Sequence, residues 1–196
     1  MASTTVTFSQ AVAAGDLLVG WFGQYNATGQ VSVSDPVNGA WTRSTAATKF
    51  ANGGGDIALY YVQNAAATPA GLTITLKGTT ATYLQGVATD YSGISTTNAF
   101  DSATTRSGSS AAVAGTATSP ASAGELVVGA IMTGGSPGGV TAGSSGGQPF
   151  VLRAHTGSGS VDSEDILAAT AGPQATAATF GAATDWYCVT ALFRPA

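Results

Sequence analysis

One strand-like segment occurs twice in this sequence, and the repetition limits the folds that the chain can adopt. Residues 14–22 (AGDLLVGWF) return at residues 123–131 (AGELVVGAI), an offset of 109. Three further matches keep the same order along the chain: Trp41 with Phe150, Asp56-Ile57 with Asp165-Ile166 and, after a shorter loop, Gly86–Tyr91 with Cys188–Phe193. Because collinear matches of this kind are the signature of repeated structural units, we predict two diverged copies of one strand pattern.

The segments around these matches are typical of short strands separated by Gly-, Pro- and Asn-rich turns. We predict an all-β, jelly-roll-like β-sandwich that forms a single domain over 1–196, with repeat one at about 4–95, repeat two at about 111–196 and a connection at 96–110. Two separate sandwiches are the alternative, but neither half carries many large residues for a core of its own. The strands predicted in repeat two lie near 111–117, 125–133, 149–155, 161–169, 175–180 and 185–194.

Charged residues are scarce and scattered, and this excludes several classes of function. Lys, Arg, Asp and Glu make up 8% of the chain, and the formal net charge is −4. The 6 basic residues do not cluster, so we expect no nucleic-acid partner. No apolar run reaches the roughly 20 residues of a membrane-spanning helix, and we expect no membrane partner. Cys188 has no second cysteine with which to form a disulfide or a metal site.

The two copies help to separate packing aromatics from candidates for ligand binding. Side chains alternate along a strand, so Leu18 and Phe22 share one face while Trp21 and Tyr25 share the other. The first face is apolar in both copies and is predicted to be core. Trp21 and Tyr25 have no aromatic counterpart in the second copy, and stacking on a ligand and packing against a loop are equal alternatives for them. Trp186 shares its face with Thr and Arg residues and is predicted to point outward.

Further residues complete the predicted binding surface. Trp41 corresponds to Phe150, so packing is its first interpretation and ligand binding its second. Tyr60 is predicted to be outward or half-exposed, because its neighbours in the strand fill the buried face. Amide and guanidinium groups that can bind sugar hydroxyls stand close in sequence to these aromatic residues: Gln24, Asn26 and Arg194.

Catalytic and metal-binding chemistry has few candidates. Within a strand, Asp162 and Glu164 share a face about 6.7 Å apart along the chain, and Asp165 follows directly. These residues suit a carboxylate pair for glycoside hydrolysis or oxygen ligands for Ca²⁺, but a solvated loop edge is the preferred interpretation. His155, the only histidine, has no G-x-S-x-G segment to supply a nucleophile. We therefore expect no catalytic residues and keep calcium as the candidate metal.

The repeated motif A-G-[DE]-L-[LV]-V-G, together with D-Y-S-G-I at residues 90–94, resembles β-sandwich carbohydrate-binding modules appended to secreted bacterial polysaccharide-degrading enzymes. The resemblance implies a non-catalytic module that recognises a neutral plant polysaccharide, cellulose or another β-glucan, by aromatic stacking and polar contacts. The Ser/Thr/Gly-rich composition favours a secreted bacterial protein, and we expect fusion to a catalytic or surface domain in a longer chain. The alternative is a structural or adhesive module of a surface protein or of a coat or tail assembly, which the duplication and the small residues favour.

Overall fold

The computed structural model describes the following residues: 2–25, 29–48, 55–80, 83–119, 122–155, 161–168 and 170–196. They form β-strands, turns and irregular segments, and none of them is helical. The all-β prediction is therefore confirmed. No helix long and apolar enough to cross a membrane occurs in this part of the chain.

The chain divides into two compact units, which we call unit 1 and unit 2. Unit 1 comprises residues 1–99 with Ala196, and unit 2 comprises residues 100–195. The predicted repeat one falls within unit 1, and the predicted repeat two, apart from Ala196, falls within unit 2. The single domain stays a prediction.

Unit 1 is a β-sandwich. Its described strands are β1 (Ser3–Thr7), β2 (Leu17–Tyr25), β3 (Ser32–Asp35), β4 (Gly39–Ala40), β5 (Thr42–Thr48), β6 (Gly55–Val62), β7 (Thr73–Lys77) and β8 (Tyr83–Tyr91). They form two antiparallel sheets, one with the strand order β1-β7-β3-β4 and one with the order β5-β6-β2-β8. Side chains from both sheets join in one buried apolar cluster, which is the core of a sandwich.

Phe22 on β2 lies at the centre of this core. Its ring contacts the ring of Trp41 edge-on at 5.8 Å and the ring of Tyr60 at 5.9 Å, measured between centroids. A Cβ atom at Gly20 or Gly86 would approach the Phe22 ring to 2.2 and 2.0 Å. Glycine at these two positions therefore makes the space that the ring occupies.

Unit 2 contains a six-stranded antiparallel sheet and a two-stranded hairpin. Its described strands are β9 (Phe100–Ala114), β10 (Leu126–Thr133), β11 (Val140–Ala142), β12 (Ser144–Ser145), β13 (Gln148–Pro149), β14 (Val151–His155), β15 (Val161–Leu167) and β16 (Ala177–Phe193). The larger sheet has the order β11-β16-β10-β15-β14 with β9 also paired to β16, and β12 pairs with β13. The pairing of β16 shifts between Thr179 and Thr184, so its first part pairs with β11 and its second with β10.

Several predicted features of the second repeat are wrong. The predicted connection at 96–110 belongs, from Phe100 onward, to β9. The strands predicted near 175–180 and 185–194 are parts of one strand, β16. The polar run in β9 lacks an alternating apolar pattern, but its backbone pairs with β16 because backbone N–H and C=O groups bond whatever the side chains are.

The repeated A-G-[DE]-L motif forms the same turn in both units. Gly15 and Gly124 have φ angles of +91° and +87°, a conformation that favours glycine. The acidic residues that follow them, Asp16 and Glu125, each accept a hydrogen bond from the backbone N–H three residues earlier, at 2.8 and 3.0 Å. Both acidic side chains are buried. The motif on which the family resemblance was based therefore has a structural role in the turn.

Strand pairing gives a direct comparison of the two units. Leu17 on β2 lies opposite Tyr91 on β8, and Leu126 on β10 lies opposite Phe193 on β16. These two pairings agree with the correspondence predicted for the first and last strands. The duplication itself stays a prediction.

The predicted match between Asp56 and Asp165 is wrong. Asp56 lies opposite Gln24 on β2, whereas Asp165 lies opposite Val128 on β10. Since Val128 corresponds to Val19 and not to Gln24, the two carboxylates occupy different places in their sheets. A residue inserted or deleted in a loop moves the register of a strand without disturbing the short motif within it.

The turn of unit 1 supplies a stability prediction. Replacing Asp16 by Ala removes the acceptor for the backbone N–H of Ala13, and we expect the free energy of unfolding to fall by about 1–2 kcal/mol. Urea denaturation measures this change. Gln10→Ala, at an exposed site before the turn, is the matched control and should change the unfolding free energy by less than about 0.5 kcal/mol. Equal losses in the two variants would contradict a specific role for Asp16.

Candidate functional site

The structure places all three tryptophans in the interior. Trp21, Trp41 and Trp186 are only 1%, 5% and 4% exposed. Trp186 therefore does not point outward as predicted, and of the two alternatives for Trp21 its burial favours packing. Alternation along a strand assigned each ring to a face, but both faces of β2 are buried. Trp21 Nε1 is buried and has no hydrogen-bond partner among the described residues.

Trp41 has a packing role, as its first interpretation proposed. Its Nε1 donates a 2.8 Å hydrogen bond to Oδ2 of Asp35, a buried residue at the end of β3 where the chain turns towards β4. Burial alone would raise the pKa of the Asp35 carboxyl, but hydrogen bonds from Asn38, Trp41 and Val37 outweigh it and hold that pKa below its usual value. The Trp41–Asp35 bond thus stabilises this turn and leaves no free indole edge for a ligand.

Trp186 is also part of a core, that of unit 2. Its ring packs with Ile131 and Phe180, among other buried residues. A Cβ atom at Gly108 on the neighbouring strand would come within 2.4 Å of the ring, so the indole lies directly over this glycine. Its Nε1 donates to Oγ of Ser110 at 3.0 Å. A face shared with Thr and Arg residues suggested an outward ring, but the ring is buried against β9.

Tyr60 and Gln24 are structural as well. Tyr60 is buried and its O–H donates to the backbone carbonyl of Val31 at 2.5 Å. Burial is the main reason that the pKa of Tyr60 rises to about 12. Gln24 is fully buried, donates from Nε2 to Gly29 O at 2.9 Å and accepts from the Thr79 N–H at 3.2 Å. Both side chains were predicted to contact a ligand, but both are buried and bonded to backbone groups, so neither is available for one.

Two further polar residues, Asn26 and Arg194, were predicted to contact a ligand. Asn26 lies outside the described residues. Arg194 is exposed and bonds through its guanidinium to the Asp101 carboxylate and to the Phe100 carbonyl. Since Trp186 is buried, Arg194 has no exposed tryptophan beside it with which to form the predicted site.

Tyr25 is the predicted ligand-binding aromatic that keeps an accessible ring. It is half-buried at the end of β2 and lies directly opposite Tyr83 on β8. Tyr83 is 63% exposed, the most exposed large apolar side chain in the described part of the chain. Gln85 follows on the same face of β8, and its Oε1 is buried without a hydrogen-bond partner among the described residues. Sequence reasoning missed Tyr83, because its pairing with Tyr25 depends on the register between two distant strands.

The acidic segment of unit 2 is a buried strand, not the solvated loop edge that we preferred. Asp162 contacts His155 Nδ1 at 2.6 Å, and Asp165 binds the Arg153 guanidinium through both oxygens at 2.7 and 2.9 Å. Glu164 accepts from the Ala177 N–H at 3.1 Å. Among the described residues, no group of three His, Cys, Asp or Glu side chains can hold a metal ion. Asp162, Glu164 and Asp165 therefore do not form the candidate calcium site: Asp165 points to the opposite face from the other two, and it pairs with Arg153 while Asp162 pairs with His155.

Comparison of the chain with protein-family models, with curated proteins and with solved structures gave no match. Arguments about function therefore depend on the geometry of the described residues.

The Tyr60 bond between the sheets of unit 1 supplies a second prediction. Tyr60→Phe leaves the Val31 carbonyl without this donor in the interior, so we expect a loss of about 1–3 kcal/mol in the free energy of unfolding. Chemical denaturation measures it. Tyr83→Phe, the same change at an exposed ring, should leave the midpoint unchanged. A Tyr60→Phe protein as stable as the parent would show that the bond does not contribute.

Proposed function

We propose that the chain is a non-catalytic β-sandwich module that binds a neutral plant polysaccharide through the Tyr25–Tyr83 pair. The observation that supports the proposal is the exposed ring of Tyr83 beside the half-buried ring of Tyr25. Residues directly opposite each other on antiparallel strands have Cβ atoms about 5 Å apart, so the two side chains can form one aromatic surface. In this proposal the protein is secreted, and the module is joined to a catalytic or surface domain in a longer chain.

The chemistry of this surface suits a sugar. Aromatic rings pack against the apolar C–H faces of pyranose rings, and the phenol O–H groups bond to hydroxyls at the rim. Tyrosine supplies this contact with little loss of conformational entropy, since only two torsions become fixed. The low charge and net charge of −4 favour a neutral polymer over an acidic one.

Pull-down on insoluble cellulose and β-glucans tests the proposal. We expect the parent protein to bind at least one of them and Tyr83→Ala to bind about tenfold more weakly, the effect of losing a central aromatic contact. Leu167→Ala is the matched control, because Leu167 is 62% exposed but lies in unit 2. It should bind as the parent does.

Two results would overturn this proposal at different levels. A parent protein that ignores every polysaccharide in the panel removes the carbohydrate function. Binding that persists unchanged in Tyr83→Ala keeps the function but removes the Tyr25–Tyr83 site.

A structural or adhesive module is the second candidate, favoured by the burial of all three tryptophans. A chain whose tryptophans are all buried keeps none of them at the surface for a ligand, as is expected of a structural module. A component of an assembly oligomerises at micromolar concentration, whereas a binding module can act as a monomer. Sedimentation analysis distinguishes them: concentration-dependent oligomers, together with no glycan binding, would favour the structural role.

A further inference from the structure

Glu164 lies inside unit 2, between two apolar clusters. It is opposite Gly129 on β10, and Gly129 is opposite Thr190 on β16, so these three positions form one row across the sheet. The cluster on one side of the row contains Val113, Ile131, Ala178, Phe180, Trp186 and Cys188. The cluster on the other side contains Val127, Phe150, Ile166, Ala168 and Leu192. A carboxyl group thus lies inside the unit, with an apolar cluster on each side of it.

The contacts of this carboxyl group are too few for a charge. Glu164 is 1% exposed, and its Oε2 has no hydrogen-bond partner among the described residues. A Cβ atom at Gly129 would come within 2.8 Å of both Glu164 Cγ and Thr176 Oγ1, so these side chains fill the space above the glycine. Thr176 Oγ1 donates to Val189 O and contacts Thr190 Oγ1, and neither bond reaches Glu164.

The charged neighbours do not compensate for this burial. On the same strand, Asp162 and Asp165 are both acidic and disfavour a further negative charge. On β14, His155 contacts Asp162 and Arg153 binds Asp165. Among the described residues, no lysine or arginine forms an ion pair with Glu164.

β10 and the segment before β16 face Glu164 with uncharged residues. Val127, Gly129 and Ile131 face it from β10, and Thr176 faces it from the segment before β16. β16 contributes the Cys188 thiol, beside which lies Arg106 of β9. Burial, the largest influence, raises the pKa of Glu164 to about 8 and outweighs hydrogen bonds from the backbone N–H groups of Ala177 and Gly143.

We propose that Glu164 is a protonation switch for unit 2: the closed core accepts its neutral carboxyl, and ionisation of this group favours opening of the unit. In the unfolded chain the carboxyl ionises near its ordinary pKa of 4.5, whereas in the folded unit it does so near 8. Its contribution to stability is therefore complete below pH 4.5 and falls as the pH rises towards 8, above which it is constant. The pKa of Asp162 is also raised, mainly by burial, and acts in the same direction.

Unit 1 lacks this response at the corresponding position. Tyr60 lies opposite Gly20 on β2, as Glu164 lies opposite Gly129 on β10. The Tyr60 phenol stays neutral up to a pH of about 12. We therefore expect the loss of stability between acidic and mildly alkaline pH to be confined to unit 2.

Cys188 is a natural probe of this opening. It is the only cysteine in the chain, and its thiol is buried in unit 2. A dithiodipyridine reagent, which reacts with thiols at acidic as well as alkaline pH, labels it when the unit opens. The ratio of its labelling rate in native protein to that in urea-unfolded protein at the same pH removes the effect of thiol ionisation. We expect this ratio to rise by up to about tenfold per pH unit between pH 5 and 8.

Two variants identify the group responsible. Glu164→Gln keeps the shape without an ionisable carboxyl, and its labelling ratio should rise much less steeply with pH than that of the parent, with only the smaller contribution of Asp162 left. Glu125→Gln is the matched control, since Glu125 is also a buried glutamate of unit 2 but accepts a bond from the Ser122 N–H. It should keep the pH dependence of the parent. A flat ratio in the parent, or an unchanged slope in Glu164→Gln, would overturn the proposal.

A second measurement does not depend on the Glu164→Gln variant. Glu125 and Glu164 are the only glutamates in the chain, so selective ¹³C labelling of glutamate gives two carboxyl signals in the NMR spectrum. Glu125→Gln assigns them by removing one. We expect the Glu164 signal to titrate near pH 8. Titration of the Glu164 carboxyl near its ordinary pKa would refute the switch even if Glu164→Gln failed to fold.

Discussion

The interior of each unit depends on a glycine in the middle strand of a sheet, opposite a long polar side chain that bonds to backbone elsewhere in the same unit. In unit 1 the glycine is Gly20, and Tyr60 opposite it donates to the Val31 carbonyl. In unit 2 the glycine is Gly129, and Glu164 opposite it accepts from the Ala177 N–H. Glycine frees the room that such a side chain, or the ring of Phe22, occupies. Without these bonds a buried carbonyl or N–H would lack a partner, at a cost comparable to a lost hydrogen bond.

The same position has opposite electrostatic consequences in the two units. The Tyr60 phenol reaches the Val31 carbonyl inside an apolar core, and it stays neutral at every physiological pH. A carboxyl group can do so only while it is protonated, because no cation pairs with it among the described residues. Two units with the same local arrangement of strands are therefore expected to respond differently to pH, and one residue accounts for the difference.

Burial of the aromatic residues changes where a ligand can bind. Trp41 and Trp186 each use the indole N–H to bond to a polar side chain, and each ring packs inside a core. The proposed site lies instead at the end of the β2–β8 strand pair, where Tyr25 and Tyr83 lie opposite each other. The repeated motif A-G-[DE]-L, by contrast, has a structural role: its glycine and its acidic residue stabilise a turn in both units.

The sequence by itself determined the strand class and the apolar inner face of β2 with Leu18 and Phe22. These follow from period-two alternation and from turn residues, which are local properties of the chain. The tertiary structure decided whether the second face of each strand is covered as well as the first. Because it is covered, Trp21, Tyr60 and Trp186 lie in the interior. The tertiary structure also set the register that brings Tyr83 to Tyr25 and places Glu164 in the core of unit 2. Register and the covering of a face depend on contacts between residues far apart in sequence, and alternation within one strand carries no information about them.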